Sequence, residues 1–537
     1  MVVPRFFPTL VFCLAVFAAG CSRDAPPPSL NAQPVRVDAS KKILPWPRTE
    51  SPYAHVMALA WDALKNKFPV QPNGLKTYLT YSRFDPDTLE GIGWPHNPAG
   101  LNAMLVDAAV GYYAFSGDDD VIDLVRETLD HQLSHGTTPR DFVWAHVPFA
   151  SSDPGSIEYS GADDSWCDGC GRGDGVGVLE PDKVGELGYG YLRFHQLTGD
   201  QRYLDAAIDC ADALARTVRT GDAAHSPWPF RVVAETGEGR DEYSSHVLGA
   251  LQLFDELVRL GLGDTAAYAR ARALTWTWLQ AFPMKNGAWS GYFEDIPPFS
   301  DPSENPNQYA PLETARFLVE HGDIGSASQL VAWTRDTFAV DANEERGMQY
   351  GAEVLSEQQA DMAKMASHTA RYAAMLALLY EKTGDDALRE RAFRSFNWAT
   401  YMCDSKGIVA VGEDKNEGYW FTDGYADYVR HFLRGMASVP DWAPPSENHI
   451  LRSSSVITTV TYGEHDVRYS TFDQSAEELL RLVELPSSVE VEDRQLKAAP
   501  RLDGDSYVVL PLRGGGVTLK VRHVTGRGVR IRVGYGE

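Results

Sequence analysis

Positive charge is scarce in this chain. Its 537 residues include 49 Lys and Arg against 74 Asp and Glu, which gives a formal net charge of −25. A chain this acidic is repelled by nucleic acid and by anionic membrane surfaces, so neither is expected as a partner. No long block of like charge accounts for the excess, which is spread over helix faces and loops.

Cysteine is also rare, with six residues in all. Cys210 and Cys403 lie in or near predicted helices and are expected to be inert. Cys167 and Cys170 form a C-x-x-C in a loop, which in an exported protein can close as a local disulfide. Zinc binding and free thiols are the alternatives, but the second ligand pair that would make a zinc site specific is missing. We expect no metal and no cofactor.

Long apolar runs are absent except at the N-terminus. Residues 1–20 read as a signal peptide, with Leu10 to Phe17 as an apolar core too short to span a membrane comfortably. Small residues directly before Cys21 resemble the bacterial lipobox, which implies lipid attachment to Cys21, although Ala18 stands where Leu is usual. Ser22 follows, and by the lipoprotein sorting rule this favours the outer membrane. An ordinary signal peptide or a membrane helix is the alternative.

What the chain has in quantity is helical periodicity. Apolar spacing predicts twelve helices between about residue 55 and residue 437. Short links join them in pairs, and each link places Gly where a helix stops and Asp where the next helix begins. These links are 116–118, 198–200, 263–265, 321–323 and 383–385.

Long polar loops alternate with the short links. They cover roughly 68–98, 136–181, 221–242, 284–307, 340–359 and 404–420. Six helical hairpins in this order predict a closed ring, an (α/α)6 toroid, with short turns on one rim and long loops on the other. Long loops in a compact domain are usually functional, so the working face is expected at the long-loop rim.

Small residues and amphipathicity sort the helices into two rings. Helices that follow a long loop carry small residues on several sides, as in Val184 to Gly190, which suits packing on all sides. Helices that follow a short turn are amphipathic, as in 201–219. The even-numbered helices should therefore form the inner ring, with their positive dipole ends at the long-loop rim.

The sequence divides into four parts. Residues 1–20 are the signal peptide, and 21–45, with three consecutive prolines, look like a flexible tether. The toroid takes 46–440. From 441 to 537 the apolar period becomes two, which predicts a small antiparallel β-sandwich, packed against the ring through Trp442.

Tryptophan is concentrated in the long loops. A loop Trp beside carboxylates is often a platform on which a sugar ring stacks, and the alternative is an anchor that packs its loop on the ring. We predict substrate contacts by Trp144, Trp166, Trp228, Trp289 and Trp420, together with Tyr309 and Tyr425.

Carboxyl groups crowd the same loops. Glycoside hydrolysis needs two of them across a cleft, one as acid and one as base or nucleophile. Glu180, Glu294 and Asp423 lie on or beside three different long loops near aromatic residues, and they are the candidates for catalytic acid, base or orienting roles. Asp182, which follows Pro181, reads more simply as a helix-start residue. The sequence offers many such carboxyl groups and does not select the pair.

Arginine lies beside these groups. Arg231, near Trp228, would suit a uronate carboxylate or a sulfate on the substrate, or else it neutralises neighbouring carboxylates. An acidic substrate would also allow a lyase, in which a Tyr or His removes the proton next to the carboxylate. The available residues are Tyr243, Tyr309, Tyr425 and His246.

Six hairpins with aromatic and acidic loops on one rim, an export signal and a trailing β-domain resemble the six-hairpin carbohydrate-active enzymes. That superfamily includes glycoside hydrolases, polysaccharide lyases and sugar epimerases. The resemblance covers roughly residues 50–537, rests on architecture without a catalytic motif, and implies a polysaccharide or oligosaccharide substrate.

The reaction is left open by architecture alone. The favoured interpretation is an exported, lipid-anchored glycoside hydrolase that uses rim carboxylates. The alternatives are a lyase or epimerase acting on uronate glycans, and a glycan-binding lipoprotein without catalysis.

Overall fold

The computed structural model describes residues 28–31, 33–81, 83–85, 87–91, 98–152, 155–158, 161, 174–291, 301–340, 348–360, 362–413, 419–420 and 424–534. Within these residues the chain forms a ring of helices followed by a β-domain of two sheets.

The ring is built from twelve long helices in the described part of the chain. In order they are α1 (Pro52–Asp62), α2 (Pro98–Ser116), α3 (Asp120–His135), α4 (Pro181–Thr198), α5 (Gln201–Thr217), α6 (Leu248–Leu260), α7 (Thr265–Ala281), α8 (Tyr309–Glu320), α9 (Ile324–Phe338), α10 (Ala366–Thr383), α11 (Asp386–Thr400) and α12 (Gly424–Ser438). A π-helical turn, Ala63–Lys67, extends α1, and single-turn helices lie at Thr77–Thr80 and Pro283–Asn286.

The even-numbered helices form a closed inner ring. Helix α2 packs on α4, α4 on α6, α6 on α8, α8 on α10, α10 on α12, and α12 returns to α2. Each odd-numbered helix lies outside its hairpin partner, and α1 packs on α12 and α11, so the last hairpin joins the first and last helices. The predicted (α/α)6 toroid is confirmed.

Glycine allows two inner helices to approach closely. A Cβ on Gly185 of α4 would lie 2.6 Å from the backbone nitrogen of Ala250 on α6, and a Cβ on Gly249 would approach the backbone of Glu186 more closely still. Real Cβ atoms do not tolerate such contacts. The small residues are therefore required by the inner-ring packing.

The short turns form as predicted at the five links. Asp200, Asp264, Asp323 and Asp385 each accept a hydrogen bond from a backbone N–H of the following helix. In the first link Asp118 Oδ1 accepts from the Asp120 N–H at 3.1 Å, while the side chain of Asp119, which directly precedes the helix, makes no capping hydrogen bond. These caps stabilise the starts of the outer helices.

The segment 28–45 is not a flexible tether. Ile43 is fully buried, and its carbonyl accepts hydrogen bonds from Arg394 Nη1 at 2.8 Å and Asn397 Nδ2 at 3.0 Å, both on α11. Asn31 Nδ2 donates to the Met402 carbonyl at 3.0 Å. Short strand pairs, Ser29–Leu30 with Gln33–Pro34 and Arg36–Val37 with Ile43–Leu44, complete this strap. Composition suggested a tether because the partners of these residues lie more than 350 positions away.

Short strands also lie in four of the long loops. Val178–Leu179, Arg231–Val233 and Gly239–Asp241 form a three-stranded sheet, and Arg83–Phe84 pairs with Tyr419–Trp420. Loops from different hairpins are thus tied to each other at one rim.

The C-terminal domain consists of two five-stranded sheets. Its strands are β1 (His449–Ser453), β2 (Ile457–Tyr462), β3 (Asp466–Thr471), β4 (Ala476–Leu482), β5 (Pro486–Val491), β6 (Arg494–Gln495), β7 (Lys497–Ala498), β8 (Ser506–Pro511), β9 (Val517–His523) and β10 (Gly528–Val533). The strand orders are β1-β4-β9-β8-β7 and β2-β3-β10-β5-β6, and all pairs are antiparallel except β7 with β8. Leu480, Leu519 and Ile531 are fully buried in a separate core.

Specific contacts join the β-domain to the ring. The His449 ring stacks on Phe115 of α2 with centroids 3.9 Å apart, and Tyr462 donates its hydroxyl to the Ala114 carbonyl. Arg259 of α6 lies 2.9 Å from Asp473. Trp442, at the junction, packs on the Tyr53 ring at 5.5 Å.

Among the helices that the structure describes, none has both the length and the apolar character that crossing a membrane requires.

Candidate active site in the toroid lumen

The inner helices enclose a polar cavity on the ring axis, which we call the lumen. Its volume is about 60 Å³, enough for a few water molecules. The lining residues that matter below are Asp107 of α2, Glu186 and Arg193 of α4, His246 before α6, Gln252 of α6, Tyr309, Glu313 and Arg316 of α8, and Arg430 of α12.

Glu186 is the centre of one group of contacts in the lumen. Tyr309 donates its hydroxyl to Glu186 Oε1 at 2.8 Å, and His246 Nε2 lies 2.8 Å from the same oxygen. Glu186 Oε2 is buried and has no hydrogen-bond partner among the described residues. Burial alone would raise the pKa of Glu186, but His246 and Lys183 outweigh it and the pKa falls below its ordinary value. Glu186 is therefore an oriented, ionised carboxylate with one oxygen unengaged.

Asp182 lies one helical turn before Glu186 and behaves in the opposite way. Ser244 Oγ is 3.2 Å from Asp182 Oδ2, and Lys183 Nζ is 3.6 Å from the same oxygen. Burial raises the pKa of Asp182, and the nearby Glu186 carboxylate adds to this effect. The pKa values of these two neighbouring carboxyl groups are thus shifted in opposite directions.

Tyr309 retains its proton. Burial, reinforced by the Glu186 carboxylate, raises the pKa of Tyr309 well above its ordinary value. The Arg371 guanidinium lies over the phenol ring at 4.1 Å, and Arg430 Nη2 is 3.4 Å from the hydroxyl. Tyr309 is a proton donor flanked by two cations.

Two hydrogen-bond donors fix the tautomer of His368 on α10. Gln308 Nε2 at 2.6 Å and Arg371 Nη1 at 2.9 Å both donate to His368 Nδ1. The ring proton therefore sits on Nε2, which lies 3.4 Å from Glu357 Oε1. Burial, together with the Arg371 charge, lowers the pKa of His368 well below its ordinary value, so the ring is neutral.

Asp427 on α12 binds the two arginines, Arg371 and Arg430, that contact Tyr309. Its Oδ2 accepts from Arg371 Nη2 at 2.7 Å, and its Oδ1 accepts from Arg430 Nε at 2.8 Å and His431 Nε2 at 3.0 Å. Burial alone would raise the pKa of Asp427, but Arg371 and Arg430 hold it well below its ordinary value. Burial lowers the pKa of His431 to about 3.

Two more ionised carboxylates, Asp107 and Glu313, line the lumen. Arg434 Nη2 lies 2.7 Å from Asp107 Oδ2 and Arg316 Nε lies 3.0 Å from Glu313 Oε2. Desolvation alone would raise the pKa of Asp107, but Arg434 and Arg430 outweigh it and hold the pKa at about 2. Burial would also raise the pKa of Glu313. The charges of Arg316 and Arg434 outweigh this effect and hold the pKa well below its ordinary value. The described residues contain no cluster of three His, Cys, Asp or Glu suited to a metal ion.

Glu180 and Arg231 form a separate buried cluster. Arg231 Nε lies 2.9 Å from Asp174 and 3.7 Å from Glu180, and its Nη1 lies 3.2 Å from Asp241. The guanidinium is therefore occupied by carboxylates of the protein, which corrects the prediction that it holds an acidic substituent. Glu180 is fully buried and does not line the lumen; a catalytic role for it stays a prediction.

Three of the predicted stacking tryptophans are buried anchors. Trp144, Trp228 and Trp289 are 2%, 4% and 1% exposed, and Trp228 Nε1 donates to the Leu214 carbonyl at 3.0 Å. An indole covered on both faces offers no surface to a sugar, so the stacking prediction is wrong for these three. Tyr309 does line the lumen, as a substrate-contact residue should, and that role remains a prediction.

The other predicted site residues cannot be placed. Glu294, Asp423, Trp166, Cys21, Cys167 and Cys170 lie outside the described residues, as do the side chains of Trp420 and Tyr425.

Sequence reasoning missed Glu186, Asp427, Arg371 and most of the lumen. A signal was present, because these charged residues lie on helices that follow long loops and were therefore predicted to be inner.

A scan against protein-family models finds no match, and a search of curated proteins finds none either. Solved structures do match. A D-mannose isomerase has a TM-score of 0.51 at 11% identity, over 73% of this chain and 100% of the isomerase. Cellobiose 2-epimerase from Spirochaeta thermophila (TM-score 0.47, 12% identity, 73% of this chain and 99% of that one) and an alpha-1,6-mannanase from Salegentibacter (0.44, 14%, 72% and 99%) also match.

At these identities the similarity concerns the fold alone. The chain has an (α/α)6 toroid fold, and its similarity to the D-mannose isomerase concerns that fold.

Proposed function

We propose that this chain is a carbohydrate-active enzyme that removes a proton from a sugar carbon by acid–base catalysis, as lyases and epimerases do. The observation that carries the proposal is the state of Glu186. It is ionised, it is held at Oε1 by Tyr309 and His246, and its Oε2 is unengaged among the described residues. That is the arrangement of a general base beside a general acid.

The lumen is less suited to hydrolysis by a carboxyl pair. A glycosidase needs one carboxyl group that carries a proton. The lining carboxylates Asp107, Glu186 and Glu313 all have pKa values below the ordinary range, so each is ionised at neutral pH. Next to Glu186, the lining group that keeps a proton is the phenol of Tyr309.

The chemistry follows from these two groups. Glu186 Oε2 removes the proton on the carbon next to a carboxylate or carbonyl group. In elimination the C–H electron pair forms a C=C bond, the neighbouring C–O bond breaks, and Tyr309 protonates the departing oxygen. Glu186 Oε2 then releases its proton to water, and the Tyr309 phenolate takes one up from water. In epimerisation a water molecule instead protonates the carbanion on its opposite face, Glu186 again releases its proton to water, and Arg430 stabilises the developing negative charge.

Substrate binding must widen the site. The cavity of about 60 Å³ accepts a carboxylate-sized group but is too small for a pyranose ring. We expect side chains or loops around the lumen to move when a sugar binds.

The test is incubation of the protein with uronate oligosaccharides in D₂O. A lyase yields an ultraviolet-absorbing C=C product, and an epimerase incorporates deuterium at the carbon next to the carboxylate. Hydrolysis yields new reducing ends with neither signal. Reducing ends alone would refute proton abstraction.

Two variants locate the chemistry. Glu186→Gln and Tyr309→Phe should each lower the rate on the order of 10²–10⁴ fold. Asp255→Asn is the matched control, because Asp255 forms an ion pair with Arg272 on the outside of the ring. Near-normal turnover of folded Glu186→Gln protein would contradict the assignment.

Glycoside hydrolysis is the second candidate, and one observation favours it. The pKa of Asp182 is raised while that of Glu186, one turn away, is lowered, as in an acid and base or nucleophile pair. In that case the D₂O assay shows reducing ends only, and Asp182→Asn abolishes their release.

We further propose that the mature protein is exported and anchored by a lipid on Cys21, with the outer membrane favoured by Ser22. The support is the sequence before Cys21, which lies outside the described residues. Replacing Cys21 by Ser should move the protein from the membrane to the soluble fraction; persistent membrane association would exclude the anchor.

A further inference from the structure

One arginine of the lumen differs from the others. Arg430 and Arg316, the other arginines that line it, are each bound to a carboxylate of the protein. Arg193 of α4 lines the lumen and is half-buried, but it makes no hydrogen bond or ion pair to any residue in the described part of the chain. With respect to those residues, the donors of its guanidinium are available to a ligand.

The described surroundings of Arg193 leave room for an anionic ligand. Glu256, a carboxylate that Arg193 influences, already pairs with Arg259 at 2.6 Å. Gln252, one turn before Glu256 on α6, also lines the lumen and can add an amide donor. A partly desolvated guanidinium with free donors is a site for an oxyanion, which it can bind through two parallel hydrogen bonds.

Its position relative to Glu186 is set by the helix. Arg193 follows Glu186 by seven residues, which is nearly two turns, so both side chains lie on the same face of α4. At 1.5 Å per residue their Cα atoms are about 10 Å apart along the axis. A group bound by Arg193 is therefore displaced along the helix axis from the carbon at which Glu186 acts.

We propose that Arg193, with Gln252, binds an anionic substituent, a carboxylate or a sulfate ester, on the sugar next to the reacting one. The substrate is then an acidic glycan with negative charge on adjacent residues. This inference rests on the proposed function, because it takes Glu186 as the reacting centre.

The test uses three disaccharides with the same uronic acid ring. Their second sugar is a neutral hexose, a uronic acid or a sulfated hexose. Binding is measured by titration calorimetry in a Glu186→Gln background, where the ligands stay unreacted. We expect one or both anionic neighbours to bind on the order of 10- to 100-fold more tightly than the neutral one, and the preferred neighbour identifies the substituent as carboxylate or sulfate.

Adding Arg193→Gln should remove this preference and leave the affinity for the neutral-neighbour disaccharide unchanged. Arg193→Lys should restore part of it, because the charge remains while the paired donors are lost. Arg272→Gln, on the outside of the ring, is the control. An anionic preference that survives Arg193→Gln, or the lack of any preference before that change, refutes this inference alone. Failure of all three disaccharides to bind refutes the proposed function.

Discussion

Replacing Asp427 by Asn should be among the most destabilising single changes in the ring. The carboxylate is fully buried, and it is bonded to Arg371 at 2.7 Å, Arg430 at 2.8 Å and His431 at 3.0 Å. Asparagine keeps the shape but removes the charge and turns an amide NH₂ toward these donors. Two guanidinium groups would then be buried without their shared counter-charge, which typically costs about 3–5 kcal/mol.

The pH dependence gives an independent check on Asp427. Its pKa in the folded protein is depressed well below the value near 3.9 expected for an unfolded chain. Such a group contributes stability above the unfolded pKa, and this contribution is lost as pH falls toward the folded pKa. The difference in stability between the natural protein and Asp427→Asn should therefore be constant at neutral pH and shrink below about pH 4.

The assay is urea unfolding of both proteins across this pH range, followed by fluorescence. Asp255→Asn, which breaks an exposed pair with Arg272, is the control and should cost at most about 1 kcal/mol. An Asp427→Asn effect as small as that of the control would show that the network is not the stabilising element inferred here. So would a difference that persists unchanged at acid pH.

Three further changes test the packing. Trp228→Ala should destabilise the protein by about 3–5 kcal/mol, measured by unfolding, without a selective loss of sugar affinity, because the indole is buried; loss of affinity with unchanged stability would restore the stacking role. Gly249→Val should lower both stability and turnover, since its Cβ would press on the backbone at Glu186; a thermal melt and a rate equal to those of the natural protein would contradict this packing. Asp385→Ala should cost about 0.5–2 kcal/mol in unfolding and leave turnover unchanged, because it removes only a helix cap on the opposite rim.

Local sequence determined the toroid. Gly followed by Asp ends one helix and caps the next through contacts within a few residues, as Asp200 and Asp385 show. The small residues Gly185 and Gly249 likewise indicated which helices pack on all sides. Such features depend on neighbours in the chain, so the sequence was sufficient to predict them.

Burial of a particular side chain was decided by tertiary structure. Trp228 reads as a loop aromatic, but its indole is covered by α5 and α6, whose contribution no local pattern reports. The sequence left open whether Arg231 meets an acidic substrate or a carboxylate of the protein, and the fold places Asp174, 57 residues earlier, beside it. The strap at 28–45 was mistaken for a tether because its hydrogen-bond partners lie near the other end of the ring.

The site itself shows both contributions. That charged residues lie on inner helices, such as Glu186 and Asp427, is written in the sequence. Whether one of these charged side chains is neutralised depends on its distance from oppositely charged side chains on the other inner helices, because the attraction between two charges falls as their separation grows. The sequence determined which helices form the inner ring and that they carry charged residues. Only the packing of six helices around the lumen decided that the Glu186 carboxylate is the one held by Tyr309 and His246.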